Sequence, residues 1–401
     1  MAIKVCDMIM GAGKTQAAIT YMNENVDRNF VFITPYLAEV ERIKQSCENR
    51  SFYSPQNFGD GKLGGLHTLL GQQKNIASTH ALFKTYNEQT VELIKNGRYT
   101  LILDEVCDVI FSLTIHKHDI KLLLDDNIIS VKDDVVHWVD DNYEGDFIYF
   151  RDYAKNGNLI SYEDKMLLWT FPSEIFKAFD DVIILTYLFE AQTQRCYFDA
   201  NSVQYNYIGV KNENNIYRFT ETVHNPDYVK NLKRLVHVVD DKKLNQIGDY
   251  KYALSVSWFE REFVKNQHPK LKVLKNNIVN LYINKYKVPS AKTMWTTYKK
   301  FKSTLSGKGY KSGFLSYNAR ATNEYRKRTH LAFCANIYFN PYLKNYFIKH
   351  NVNIDEDLFA LSEMLQWIWR SAIRDEKEVW IYVPSRRMRE LLVNWLDKMS
   401  E

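Results

Sequence analysis

Residues 1–24 read MAIKVCDMIMGAGKTQAAITYMNE. Ala2–Ile9 has the apolar content of a short strand. Gly11-Ala12-Gly13-Lys14-Thr15 follows, and then a stretch of helical composition with Ala17, Ala18, Tyr21 and Met22 available to pack. Strand, glycine loop, Lys-Thr and helix is the context of a phosphate-binding loop. The glycines let backbone N–H groups turn inward around phosphate oxygens, and the helix start adds its partial positive charge. In that reading Lys14 reaches the β- and γ-phosphates of ATP, and Thr15 offers a hydroxyl to Mg²⁺. The full pattern G-x-x-x-x-G-K-[ST] begins with glycine, where this chain has Met8.

A phosphate loop needs an acidic partner at the end of a neighbouring parallel strand. Residues 99–109, YTLILDEVCDV, supply a buried-strand run at Thr100–Leu103 that ends in Asp104-Glu105. Asp104 is placed to hold Mg²⁺, and Glu105 to orient and polarise the attacking water. NFVFITPYLAEVERI, KNIASTHALFKTY and DDVIILTYLFEAQ each read as a strand, a turn and a helix start. Such alternation predicts an α/β fold with a parallel sheet and its site at the carboxyl ends of the strands.

Length and composition bound the rest. The chain has 401 residues, 45% of them apolar and 25% charged, which predicts two globular domains. No apolar run nears the length of a membrane span, and no signal region precedes the loop, so a cytoplasmic protein is expected. Five cysteines, an odd number without a CxxC, argue against a disulfide framework and a structural zinc site.

Charge is unevenly spread. From Phe263 to Asn323 there is no Asp or Glu, but there are twelve lysines and Arg320, so this window is +13 in a chain of net +5. Tyr282, Tyr286, Trp295, Tyr298, Phe301, Tyr310, Phe314 and Tyr317 are interleaved. Lysines that neutralise phosphates beside rings that stack on bases suit single-stranded nucleic acid. The window is alternatively a solvated lysine face whose rings lie in the core. Between Asp119 and Asp146 nine acids face only Lys121 and Lys132. That stretch reads as a solvated acidic face, or as a docking surface for a basic protein partner.

Near the other end, LQWIWRSAIRD spaces Gln366, Arg370 and Arg374 at i, i+4 and i+8. On a helix they would share one face, with the two arginines directed at a phosphate site as arginine fingers. EVWIYVPSRRMRELLVNWL closes the chain as strand, turn and helix. Its Arg386, Arg387 and Arg389 suit either a backbone phosphate or a solvated helix start.

Taken together, these motifs resemble those of superfamily 2 helicases. GAGKT matches motif I, Asp104-Glu105 motif II, and Gln366–Arg374 the QxxxRxxR of motif VI. By order along the chain, Thr34-Pro35 fall at motif Ia, Thr79 at Ib and Thr186 at III. Asn318, Arg320, Thr322 and Asn323 fall where motifs IV to V belong. Trp369 replaces a common glycine, motif II is DEVC, and no Q motif stands upstream. The MGxGKT and DEV strings look similar to phage replication helicases and herpesvirus-type origin-binding helicases.

The resemblance implies two RecA-like domains, with parallel β-sheets flanked by helices and ATP in the interdomain cleft. Residues 1–228 would form the first, with an insertion at about 112–178, and residues 229–401 the second. It implies an ATP-dependent DNA helicase or translocase of a phage-type replication system, with RNA as an alternative track. Thr34, Pro35, Thr79, Trp295, Lys299, Lys300, Lys302, Lys311, Arg320 and Thr322 would meet nucleic acid. Thr186 would couple the sites, and the acidic insertion would meet a replication protein. A viral packaging ATPase, and a nucleic-acid scaffold with an ATP-driven switch, are the competing readings.

Overall fold

The computed structural model describes residues 3–59, 61–163, 165–319 and 324–400. Arg320, Thr322 and Asn323 lie outside these. The chain divides into two compact units. The first comprises residues 1–8, 13–224 and 340–354, and the second residues 9–12, 225–339 and 355–401.

In the first unit the strands are β1 (Ile3–Asp7), β2 (Asn29–Thr34), β3 (Phe52–Tyr53), β4 (Asn75–Thr79) and β5 (Tyr99–Asp104). Five short strands follow: β6 (Ile110–Ser112), β7 (Ile129–Lys132), β8 (Val135–Trp138), β9 (Leu159–Tyr162) and β10 (Met166–Thr170). Then come β11 (Asp181–Thr186), β12 (Tyr205–Glu213) and β13 (Ile216–Thr220). The large sheet runs β13-β12-β1-β11-β5-β2-β4-β3. All its pairings are parallel except the hairpin β12–β13. Strands such as DVIILT, buried along their whole length, fit a sheet covered on both faces.

Strands β6 to β10 form a separate antiparallel sheet, β6-β10-β9-β8-β7, with its own core of Ile120, Leu123, Val136, Phe150, Leu159 and Leu167. This sheet occupies the long interval between β5 and β11. The helix Pro341–Lys349 also belongs to the first unit, although it lies far along the chain. Asn340 Nδ2 donates to Ser112 Oγ at 3.2 Å, Lys349 pairs with Asp134 at 3.1 Å, and Tyr346 meets Tyr162 edge-on. The expected second domain, continuous from residue 229, is therefore interrupted.

The second unit holds a parallel sheet ordered β14-β17-β16-β15, from β14 (Val236–Val238), β15 (Thr293–Thr296), β16 (His330–Phe333) and β17 (Val379–Tyr382). Its core contains Trp258, Tyr282, Trp295, Phe301, Tyr310 and Tyr382. Each unit is thus an α/β layer built on a parallel sheet with helices against it, the architecture of two RecA-like units. All five cysteines are free and buried. No helix among the described residues is long and apolar enough to cross a membrane.

Candidate nucleotide site

The glycine loop leaves β1 at its carboxyl end and enters helix α1 (Lys14–Glu24). Gly13 caps that helix at φ 84°, in the left-handed region that glycine adopts without strain. Lys14 Nζ donates to Met8 O, which folds the lysine back over the loop. Withdrawal from water lowers the Lys14 pKa, opposed by the charges of Cys6, Asp104, Asp7 and Glu105. The lysine thus lies within electrostatic reach of both acids at the end of β5, a residue pair far from it along the chain.

Register explains the juxtaposition. Asp7 stands opposite Thr186 across β1–β11, and Leu185 opposite Asp104 across β11–β5. The three strand ends, and with them Asp7, Thr186 and Asp104, lie together at the carboxyl-end edge of the sheet. Met8 N donates to Thr186 O at 3.0 Å and Glu105 N to Leu185 O at 2.9 Å, which locks that edge. Glu105 itself has φ 62°, a conformation costly for a residue with a β-carbon and concentrated at functional sites.

Asp104 is pushed up to about 7, first by burial and then by the charges of Glu105 and Glu39. Thr34 opposes this by donating from Oγ1 to Asp104 Oδ2 at 3.2 Å. His80 Nε2 lies 3.0 Å from the Asp104 carbonyl oxygen. Three residues that the sequence motifs leave out or place elsewhere therefore build the acidic site: Thr34, His80 and Asp7. Asp7 Oδ2 accepts from Phe189 N at 3.0 Å, tying the β1 end to the loop after β11, and burial raises its pKa. Their shared signal is a polar side chain ending an apolar strand or standing directly after it.

Two expected nucleic-acid contacts, Thr34 and Trp295, are buried. Thr34 is fully buried, so its side chain serves Asp104 instead of a track. Pro35 and Thr79 are half-buried at the ends of β2 and β4, and Thr186, the expected coupling residue, is buried. Trp295 is fully buried between Tyr310 and Phe314, both edge-on to it, and offers no face to a base. The reason is that β15 is covered on both sides: all four of its residues are buried. Lys299, Lys300, Lys302 and Lys311 are exposed. Acids just outside the lysine window offset part of its charge, through Lys300–Glu260 at 3.1 Å and Lys265–Glu262 at 2.8 Å.

The shared helix face expected for Gln366, Arg370 and Arg374 does not form. The helix Glu356–Ile368 carries Gln366 but stops before Arg370, which lies in a turn, and Arg374 sits in the short 3₁₀ turn Ala372–Asp375. Ser371 closes the helix by donating from Oγ to Ile368 O, and Ala372 N is diverted to Arg328 O. Of the closing arginines, Arg387 is structural. It donates to Asn336 Oδ1 at 3.0 Å and Ile337 O at 2.7 Å, and pairs with Asp357. Arg389 donates to the carbonyls of Val383 and Pro384.

Sheet order, glycine loop and acidic strand end together define an α/β protein of RecA-like architecture. More particularly, the chain belongs to the YonV family. It is 44% identical over 410 residues to the SPbeta prophage-derived uncharacterized protein YonV of Bacillus subtilis (strain 168), covering 98% of each. Residues 230–396 match the YonV C-terminal Rossmann-like domain, and residues 110–169, the antiparallel sheet, match the YonV middle domain. Among solved structures the chain is similar to Xpd4 of S. tokodaii, at 12% identity and TM-score 0.47, over 98% of this chain and 94% of that one. It is also similar to the DUF1998 helicase MrfA bound to DNA, at 9% identity and TM-score 0.34, over 99% and 49%.

Proposed function

We propose that the chain is an ATP-dependent DNA helicase or translocase of a phage-type replication system, acting in the bacterial cytoplasm. The observation that carries this reading is the meeting of Lys14 with Asp104 and Glu105 at one sheet edge. A lysine-bearing glycine loop facing a paired acid is the arrangement that holds and hydrolyses a nucleoside triphosphate. The prophage origin of the YonV relative supports the phage setting.

Thr15 and Asp104 offer hard oxygen donors, and Mg²⁺ needs only one or two of these besides substrate phosphates and water. The ion, when bound, neutralises phosphate charge. The loop amides and Lys14 hold the phosphates, and Glu105 orients the attacking water. Arg370 and Arg374 remain the proposed arginine fingers, offered from turns, and Thr186 the proposed coupling residue. Exposed Lys299, Lys300, Lys302 and Lys311 support a track that contacts phosphates without reading sequence. Asp125, Asp126, Asp133, Glu144 and Asp146 are exposed on the middle domain and support docking of a basic replication protein.

The test is strand displacement from a forked DNA duplex, run with ATP turnover in the presence and absence of single-stranded DNA. DNA-stimulated turnover with displacement supports a helicase, and stimulated turnover without displacement a translocase. Nucleic-acid binding without any turnover would favour the scaffold reading instead.

A further inference from the structure

Tyr217 stands out among the aromatic residues near the phosphate loop. It is half-buried on β13, paired through its backbone with β12, and among the described residues its side chain makes no hydrogen bond, ion pair or ring contact. Its ring nevertheless lies directly on Gly13: a β-carbon there would fall 2.2 Å from Tyr217 Cδ1. Two neighbours fix the hairpin on α1. Phe219, on the same strand face, packs edge-on against Tyr21 with centroids 5.9 Å apart, and Arg218 pairs with Glu24 at the end of α1. The ring is therefore held at the start of the helix where a triphosphate tail would be bound.

Resting on the nucleotide-binding reading above, we propose that Tyr217 is the platform on which the base of the bound nucleoside triphosphate stacks. The phosphates engage the loop amides and the start of α1. The base, one sugar away, then meets the part of the ring that does not pack on Gly13 and that no other aromatic side chain stacks on. Stacking is tolerant of base identity because every base has a π-face, and it strengthens with ring area. The site accordingly prefers purine over pyrimidine triphosphates. Gly13 is needed for a second reason besides its backbone angle: any side chain there would displace the ring.

The test is equilibrium binding of Mg²⁺ complexes of ATP, GTP, CTP and inorganic tripolyphosphate to the full chain and to Tyr217→Phe, Tyr217→Leu and Tyr217→Ala. In the wild type, ATP and GTP should bind more tightly than CTP. Tyr217→Leu keeps apolar bulk but loses the ring, so ATP affinity should fall about tenfold, the scale of one base–aromatic stack. The purine preference should vanish with it, while tripolyphosphate affinity stays at the wild-type value. Tyr217→Phe should retain both. Wild-type ATP affinity in Tyr217→Leu and Tyr217→Ala would overturn the proposal and leave the phosphate loop intact as a site. Equal losses for ATP and tripolyphosphate would make the ring a structural prop, and tighter ATP binding would make it a lid. Either result overturns the platform. If the wild type binds neither ATP nor tripolyphosphate, the nucleotide-binding reading falls, and the platform with it.

Discussion

Replacing Thr34 by valine isolates the support of the acidic site. Thr34 is fully buried at the end of β2, and its hydroxyl donates to Asp104 Oδ2 at 3.2 Å. Valine has nearly the same shape, so Thr34→Val removes the donor without opening a cavity. A hydrogen bond to a charged group is worth about 1.5–3 kcal/mol. At 3.2 Å this O–H···O bond is longer than the usual range of about 2.5–3.0 Å, so the low figure, about 1.5 kcal/mol, is the upper bound to use. Asp104 is already pushed up to about 7 by burial and by Glu105 and Glu39, and losing its donor makes the carboxylate harder still to ionise. A cation that needs the ionised form should then bind more weakly, by up to about tenfold, since about 1.36 kcal/mol is a factor of ten. The assay is a Mg²⁺ titration of ATP turnover at fixed ATP, alongside thermal melting. The half-saturating Mg²⁺ concentration should rise, by up to about tenfold, in Thr34→Val, and Thr34→Ser should restore it. A wild-type Mg²⁺ requirement in Thr34→Val, or the same loss in Thr34→Ser, would refute the assignment.

Trp295→Ala should cost about 3–5 kcal/mol of stability, because it empties a packed core position. Denaturant unfolding measures this, and a change below about 1 kcal/mol would contradict the burial. Lys299→Ala, Lys300→Ala and Lys302→Ala combined should lower the log–log salt slope of single-strand binding by about 0.7 for each phosphate no longer engaged. An unchanged slope and affinity would make these lysines a solvated face. His330 lies against Trp380 and Tyr286, with Nδ1 3.0 Å from Thr329 Oγ1, and burial lowers its pKa to about 4 from 6.5. Between those values the unfolded chain binds a proton that the folded chain refuses, so stability present above 6.5 is lost as pH falls toward 4. Melting temperature should therefore drop more steeply over that range in the wild type than in His330→Phe, and parallel curves would refute the linkage.

How much of this was legible in the sequence follows from whether the signal is local. The glycine loop and the acidic end of β5 are local: a run of apolar β-formers, then a residue type that only a strand end tolerates. The antiparallel sheet between β5 and β11 shows in sequence only as excess length. Thr34 is one polar residue closing an apolar strand, and its partner Asp104 is visible only once β2 and β5 are known to be neighbours. Trp295 misleads because aromatic content beside lysines is the same whether the rings face water or the core. β15 is buried on both faces and so lacks the alternation that would reveal it. The spacing of Gln366, Arg370 and Arg374 fits a helix, but Ser371 ends that helix before Arg370 can join it. The return of the helix Pro341–Lys349 to the first unit depends on Asn340, Tyr346 and Lys349 meeting partners more than a hundred residues upstream, for which no local pattern exists.

The most direct test of the central claim is ATP binding and turnover by the wild type, Lys14→Ala and Glu105→Gln, with and without single-stranded DNA. The wild type should hydrolyse ATP and respond to DNA. Lys14→Ala should lose hydrolysis while binding DNA without nucleotide. Glu105→Gln should bind ATP and fail to turn it over, because it keeps the side-chain volume but loses the carboxylate that orients water. Wild-type turnover in Lys14→Ala would contradict the account outright.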